Sequence, residues 1–233
     1  MKARARQRPG KIIFVTGTDT GVGKTIFTGM LVHHLRSKGV HALAMKPFCS
    51  GGRDDVRLLR AMQDAELTED EINPFYFPEP IAPLVSARRR KRRISLGQVV
   101  REIKKIAARC ECLLIEGSGG LLVPLGKNYL VSDVIRRLNC AVIVVARNQL
   151  GTINHTLLTV NALKRFGVKN ISVVMMGTSK KDASVEKNGP VLRGFLRGLK
   201  VVEVEFLGGK ANEIGVLKKS VKYLKKTLAG FSG

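Results

Sequence analysis

The chain has 233 residues, 41 Lys and Arg against 18 Asp and Glu, a formal net charge of +23, and 44% hydrophobic residues. That apolar content excludes a disordered chain. No apolar run approaches the roughly 18 residues of a membrane span, and no apolar signal core follows the basic start Met1-Lys2-Ala3-Arg4-Ala5-Arg6, so the expectation is a cytoplasmic protein without a membrane partner.

Residues 1–10 read as a basic extension, and 11–233 as one α/β domain, long enough for a sizeable core. The first predicted strand covers 11–16. It runs into Gly17-Thr18-Asp19-Thr20-Gly21-Val22-Gly23-Lys24-Thr25, which opens a predicted helix over 25–38. A phosphate-binding loop requires that strand–loop–helix setting. Five residues rather than four separate Gly17 from Gly23, and Thr18 takes the usual place of the first glycine. The physics is unchanged by this. Backbone N–H groups of Asp19, Gly21, Val22, Gly23, Lys24, Thr25 and Ile26, with the helix N-terminus, offer positive potential to phosphate oxygens. Lys24 reaches the outer phosphates, and the Thr25 hydroxyl is a candidate Mg²⁺ ligand. In the helix Phe27, Leu31 and Leu35 share a face, and Gly39 stops it.

A second strand over 40–45 leads into Lys46-Pro47, Ser50-Gly51, Asp54 and Asp55. Lys46 beside a phosphate site would neutralise charge developing in phosphoryl transfer. Asp54 or Asp55 would hold metal or cap the next helix. The stretch 73–83 carries four prolines in eleven residues. It therefore predicts an ordered irregular loop, serving either packing or a substrate wall. Six consecutive cations follow, Arg88-Arg89-Arg90-Lys91-Arg92-Arg93. With no interleaved aromatics, they read as a solvated loop rather than a nucleic-acid patch. Ser95-Leu96-Gly97-Gln98 is a capping-box start for the helix behind them.

The strand over 112–115 ends in Glu116, followed by Gly117-Ser118-Gly119-Gly120. An acid at the carboxyl edge of an apolar strand is a candidate Mg²⁺ ligand. Strands over 141–146, 171–176 and 201–206 complete the set. Helices over 154–166 and 216–228 lie between and after them, and the first of these is stopped by Gly167. Continuous apolar strands alternating with helices predict a doubly wound, mostly parallel sheet with helices on both faces, of the P-loop nucleotide triphosphatase type. Cys49, Cys110, Cys112 and Cys140 lack metal-knuckle spacing and read as reduced thiols.

Taken in order, these motifs resemble the dethiobiotin synthetase family. The resemblance rests on the loop at 17–25, Lys46-Pro47 with Ser50-Gly51, Asn73-Pro74-Phe75, Pro80-Ile81-Ala82-Pro83, Glu116-Gly117-Ser118-Gly119-Gly120 and Gly151-Thr152-Ile153-Asn154-His155, and spans roughly 11–166. It implies a ligase that closes the ureido ring of dethiobiotin from 7,8-diaminononanoate, CO₂ and ATP with Mg²⁺, through a carbamic–phosphoric anhydride. It implies Lys24, Lys46, Thr20 and Ser50 as the catalytic set, the last two at the carbamate. It implies Thr25, Asp55 and Glu116 as metal ligands, and Gly151, Thr152 and Asn154, with Ser50, as substrate contacts. Asn154 would reach across a homodimer interface. The chain departs from the family after the fifth strand, where Met175-Met176-Gly177-Thr178-Ser179 replaces an Asn-Asp or similar pair used in base recognition, and at Val202-Glu203-Val204-Glu205-Phe206-Leu207. CTP and GTP thus stand beside ATP. Two alternatives are a related amidoligase-like P-loop enzyme on another carboxylate or carbamate, and a nucleotide-switched DNA-binding or partitioning ATPase.

Overall fold

Six apolar runs pair edge to edge in the computed structural model, which describes residues 10–179 and 182–231. The expected basic extension lies, Gly10 apart, outside the described residues. The strands are β1 Lys11–Gly17, β2 Ala42–Met45, β3 Cys112–Gly120, β4 Ala141–Arg147, β5 Ile171–Met176 and β6 Lys200–Val204. Their order is β6-β5-β4-β1-β3-β2, and every pair is parallel. Consecutive residues along β1, β2 and β4 are buried. Both faces of the sheet are therefore covered, as the unbroken apolar runs require.

Helices do the covering: α1 Lys24–Ser37, α2 Asp54–Met62, α3 Leu96–Ala107, α4 Val131–Leu138, α5 Thr152–Arg165, α6 Val185–Phe195 and α7 Ile214–Tyr223. α1 packs against α2 and α7, α3 against α4, and α5 against α6. The Ser95–Gln98 capping box forms as expected. The single closing helix expected over 216–228 is instead two, α7 and a short helix Lys225–Ala229 meeting at Leu224. The offset brings Phe231 edge-on to Phe27 of α1, with ring centroids 5.5 Å apart.

Two further differences shape the site. β3 does not stop before Glu116 but runs on to Gly120, which pairs with Gly17 across a register shift. Glycines allow this approach: a Cβ at Gly117 would stand 2.8 Å from the Phe14 ring. The proline-rich stretch divides. Phe75–Phe77 forms a short strand parallel to Phe48–Ser50, with Phe48 and Phe75 stacked 4.9 Å apart, while Pro83–Arg89 is a short helix.

Phe27 is fully buried and links α1 to the chain end. Phe27→Ala should cost about 3–5 kcal/mol, read as a lower urea midpoint with an unchanged m-value.

Candidate active site

The carboxyl ends of β1, β2 and β3 converge where the strand order reverses at β1, the position at which open α/β sheets bind ligands. The loop after β1 turns on two left-handed glycines, Gly21 at φ 71° and Gly23 at φ 98°. Gly23 is the N-cap of α1, and among the described residues no side chain caps the helix, which leaves its first N–H groups available. Such an end attracts anions. Lys24 folds back, its Nζ donating to the Asp19 carbonyl at 2.8 Å. Burial lowers its pKa, and Glu116 opposes that shift.

Facing the loop is a buried ionic cluster. Lys46 is 8% exposed and Glu116 1% exposed. The Lys46 ammonium donates to Glu116 Oε1 at 2.7 Å and to Asp55 Oδ2. The Thr25 hydroxyl donates to the same Glu116 oxygen at 2.8 Å. Burial alone would lower the Lys46 pKa, but Glu116 and Asp55 outweigh it and hold the group well above the ordinary lysine value. Asp54, by contrast, turns outward to Arg57 at 2.9 Å. Glu116 Oε2 and the Ser50 hydroxyl are buried with no partner among the described residues. Thr25, Asp55 and Glu116 together offer hard oxygens, two of them carboxylates. That set fits Mg²⁺, which is usually held by one or two carboxylates and completed by phosphate oxygens and water.

The Lys46 backbone is fixed from behind. Its N–H donates to the Ile72 carbonyl at 2.9 Å, and the buried Asn73 amide donates to the carbonyls of Lys46 at 3.0 Å and Pro47 at 3.1 Å. Buried hydrogen-bonded polar groups of this kind fix one geometry.

These parts line a cleft of about 1010 Å³ that brings together Thr20, Lys24, Thr25, Lys46, Ser50, Asp55 and Glu116. Pro80-Ile81-Ala82-Pro83 form one wall of it. The proline-rich stretch thus does both things weighed above: Phe75 and Phe77 pack, and its last four residues line the cleft. A second cleft of about 730 Å³ adjoins it, lined by Val22, Met176, Gly177, Glu205 and Phe206 and sharing Gly21, Gly23 and Ile26. Gly151, Thr152 and Asn154 line neither cleft. Gly151 is the N-cap of α5 at φ 89°, Thr152 is buried and Asn154 exposed. All six residues of the cationic run are exposed; Arg90 meets Glu79 at 3.2 Å and Arg92 lies over the Phe77 ring.

The family model described as an AAA domain matches residues 11–207. The ATP-dependent dethiobiotin synthetase BioD of Bacillus licheniformis is 43% identical over 185 residues, 77% of this chain and 79% of that protein. The chain belongs to the dethiobiotin synthetase family. The enzyme of the same name from Bacillus subtilis strain 168 is 37% identical over 91% of this chain and 92% of its own. That from Methanococcus vannielii is 38% identical over 70% and 78%. Among solved structures, a ParA family ATPase from Chlorobium tepidum superposes with a TM-score of 0.59 at 15% identity, covering 97% of this chain and 98% of that one. The MinD cell division protein of Aquifex aeolicus gives 0.56 at 12% identity over 95% and 98%. Both share the fold.

The family's motifs left some residues unmarked. Arg147, ending β4, donates to the Gly21 carbonyl at 2.5 Å and so holds the phosphate loop. Asn148 and Asn188 are buried and joined at 2.9 Å, tying the end of β4 to α6. An asparagine whose partners lie some forty residues away has no local signature. Arg147 could have been suspected from its place at a strand's carboxyl end.

Lys46→Met should lower stability by about 3–5 kcal/mol, because it strands the buried Glu116 carboxylate. Adding Glu116→Gln to that variant should recover part of the loss, as urea denaturation of the two variants would register.

Proposed function

We propose that this protein makes dethiobiotin from 7,8-diaminononanoate, CO₂ and ATP, releasing ADP and phosphate. The observation that carries the reading is Lys46, a paired, buried ammonium opposite the phosphate loop in one cleft with the unpartnered hydroxyl of Ser50. Atoms balance in three steps. One amine nitrogen bonds to CO₂ and loses a proton, giving a carbamate. A carbamate oxygen bonds to the γ-phosphorus as the bond to ADP breaks. The second amine nitrogen then bonds to the carbamoyl carbon and loses a proton, the carbon–oxygen bond to phosphate breaks, phosphate leaves, and the ureido ring closes.

Such a sequence needs no acid–base dyad. It needs aligned anions and fixed positive charge. Lys24 and the N–H groups of Asp19, Gly21, Val22, Gly23, Thr25 and Ile26 hold the phosphates. Lys46 balances charge shared between carbamate and γ-phosphate, and Thr20 and Ser50 hold the carbamate oxygens. Thr25, Asp55 and Glu116 would hold Mg²⁺, which when bound neutralises phosphate charge. Excluding water from this cleft strengthens each of these contacts.

Gly151, Thr152 and Asn154 line neither cleft, which supports their serving a neighbouring subunit in a homodimer. The N-terminus of α5 carries no side-chain cap and no acid in its first turn, so it suits the substrate carboxylate. Among the described residues no helix is long and apolar enough to cross a membrane. The four free cysteines support a reducing cytoplasmic setting.

With Mg²⁺, bicarbonate and ATP, phosphate release should depend on 7,8-diaminononanoate, and mass spectrometry should find dethiobiotin. Release indifferent to the diamine would overturn the reading. Lys24→Ala should reduce kcat at least about 10²–10³-fold, the loss typical of removing a group that stabilises transition-state charge. The cross-subunit role has its own check. Inactive Lys24→Ala and Asn154→Ala proteins, once mixed and allowed to exchange subunits, should regain activity, because one site of the hybrid is then intact. If Asn154 serves its own chain, both hybrid sites are defective and nothing returns.

A further inference from the structure

The second cleft shares Gly21, Gly23 and Ile26 with the first. A nucleotide with its phosphates on the loop therefore places its base there, a step that rests on the reading just proposed. What could read that base is narrowly limited. At the end of β5, Gly177 donates to the Val204 carbonyl at 2.7 Å. A Cβ at that position would lie 2.5 Å from the Phe206 nitrogen and 2.9 Å from the Glu205 carbonyl carbon. No side chain fits at 177, so the reading group must come from elsewhere in the lining.

Two of the charged groups there already have partners. Arg147 holds the Gly21 carbonyl, and Asp182 accepts from the Leu150 N–H at 3.1 Å and from Ser184. Gln149 and Ser179 can each donate or accept, so they separate base edges poorly. Glu205 is different. It is exposed, lines the cleft, and meets neither hydrogen-bond donor nor cation among the described residues. As a carboxylate it only accepts. Phe206 stands next to it in the same lining, 45% exposed.

We infer that Glu205 is the base-selecting residue, and that it makes GTP a phosphoryl donor at least as good as ATP. Two carboxylate oxygens match the two adjacent donors of guanine, N1–H and the 2-amino group, as a bidentate charge-assisted pair. Adenine offers one amino donor beside the N1 lone pair, which repels the second oxygen. Cytosine has the same mismatch, its amino group flanked by N3. Phe206 offers a face on which any base can stack.

The test is competition of GDP, ADP and IDP against a fluorescent methylanthraniloyl nucleotide, on wild type and on Glu205→Ala. Wild type should bind GDP at least as tightly as ADP, with IDP, which lacks the amino group, between GDP and the variant's level. Glu205→Ala should shift the GDP-to-ADP preference about tenfold or more toward ADP, as loss of hydrogen bonds to a charged group implies. A wild type that favours ADP, or a ratio unmoved by the substitution, overturns the inference. Phosphate release with and without 7,8-diaminononanoate, run with GTP and ATP, keeps the two readings apart. If binding responds to Glu205 but the diamine evokes no release, the base site stands and the reaction falls. If both nucleotides turn over with a ratio indifferent to Glu205, the reaction stands and the base site falls.

Discussion

Lys46 carries its charge where water cannot solvate it, at 8% exposure, and three distant parts of the chain are arranged around that fact. An unpaired buried ammonium would lose its proton or unfold its surroundings. Here Glu116 arrives from β3 and Asp55 from α2, and their charges more than offset the cost of burial. Thr25, from the first turn of α1, joins the same carboxylate. The phosphate loop, the second strand and the glycine-rich third strand are thereby fixed to one another by a single set of contacts. Asn73 extends the arrangement outward by holding the carbonyls of Lys46 and Pro47. A rigid cation flanked by acids has low reorganisation cost when new anions enter the cleft.

Much of this is legible in the amino-acid sequence. The strands over 11–16, 141–146 and 171–176 were readable to within a residue, because runs buried on both faces leave no polar positions to confuse the period. The phosphate loop was readable because strand, glycines, Lys24 and helix lie in one short segment. What could not be read depends on contacts between distant segments. The extension of β3 past Glu116 follows from Gly17 meeting Gly120. Whether Asp54 or Asp55 turns inward follows from where Lys46 lies. The two functions of the proline-rich stretch separate only once Phe48–Ser50 is there to pair with Phe75–Phe77. Asn148 and Asn188, forty residues apart, were invisible for the same reason.

The fold says less than the site does. A ParA family ATPase and the MinD cell division protein superpose over nearly the whole chain at 15% and 12% identity, so the sheet and its helices do not by themselves fix a task. The residues proposed for the chemistry lie at the carboxyl edge of the sheet: Lys46 after β2, Ser50 beyond it, and the wall from Pro80 to Pro83. A scaffold with both faces covered tolerates this variety, because its stability rests on packing far from those loops.

The strand order carries a consequence for how the chain is made. β1 is made before the other five strands of the sheet, yet its neighbours are β3 and β4, with Ile13 opposite both Leu114 and Ala141. Among the described residues β2 pairs only with β3. Until β3 has been synthesised, neither early strand has an edge to join, and Ile12-Ile13-Phe14-Val15 waits as an apolar segment of high strand propensity. Such segments invite association between nascent chains. Pairings this distant in sequence also form slowly. The sheet, and the cleft built on it, therefore assembles late, around a strand made before the other five and without a partner until β3 has been synthesised.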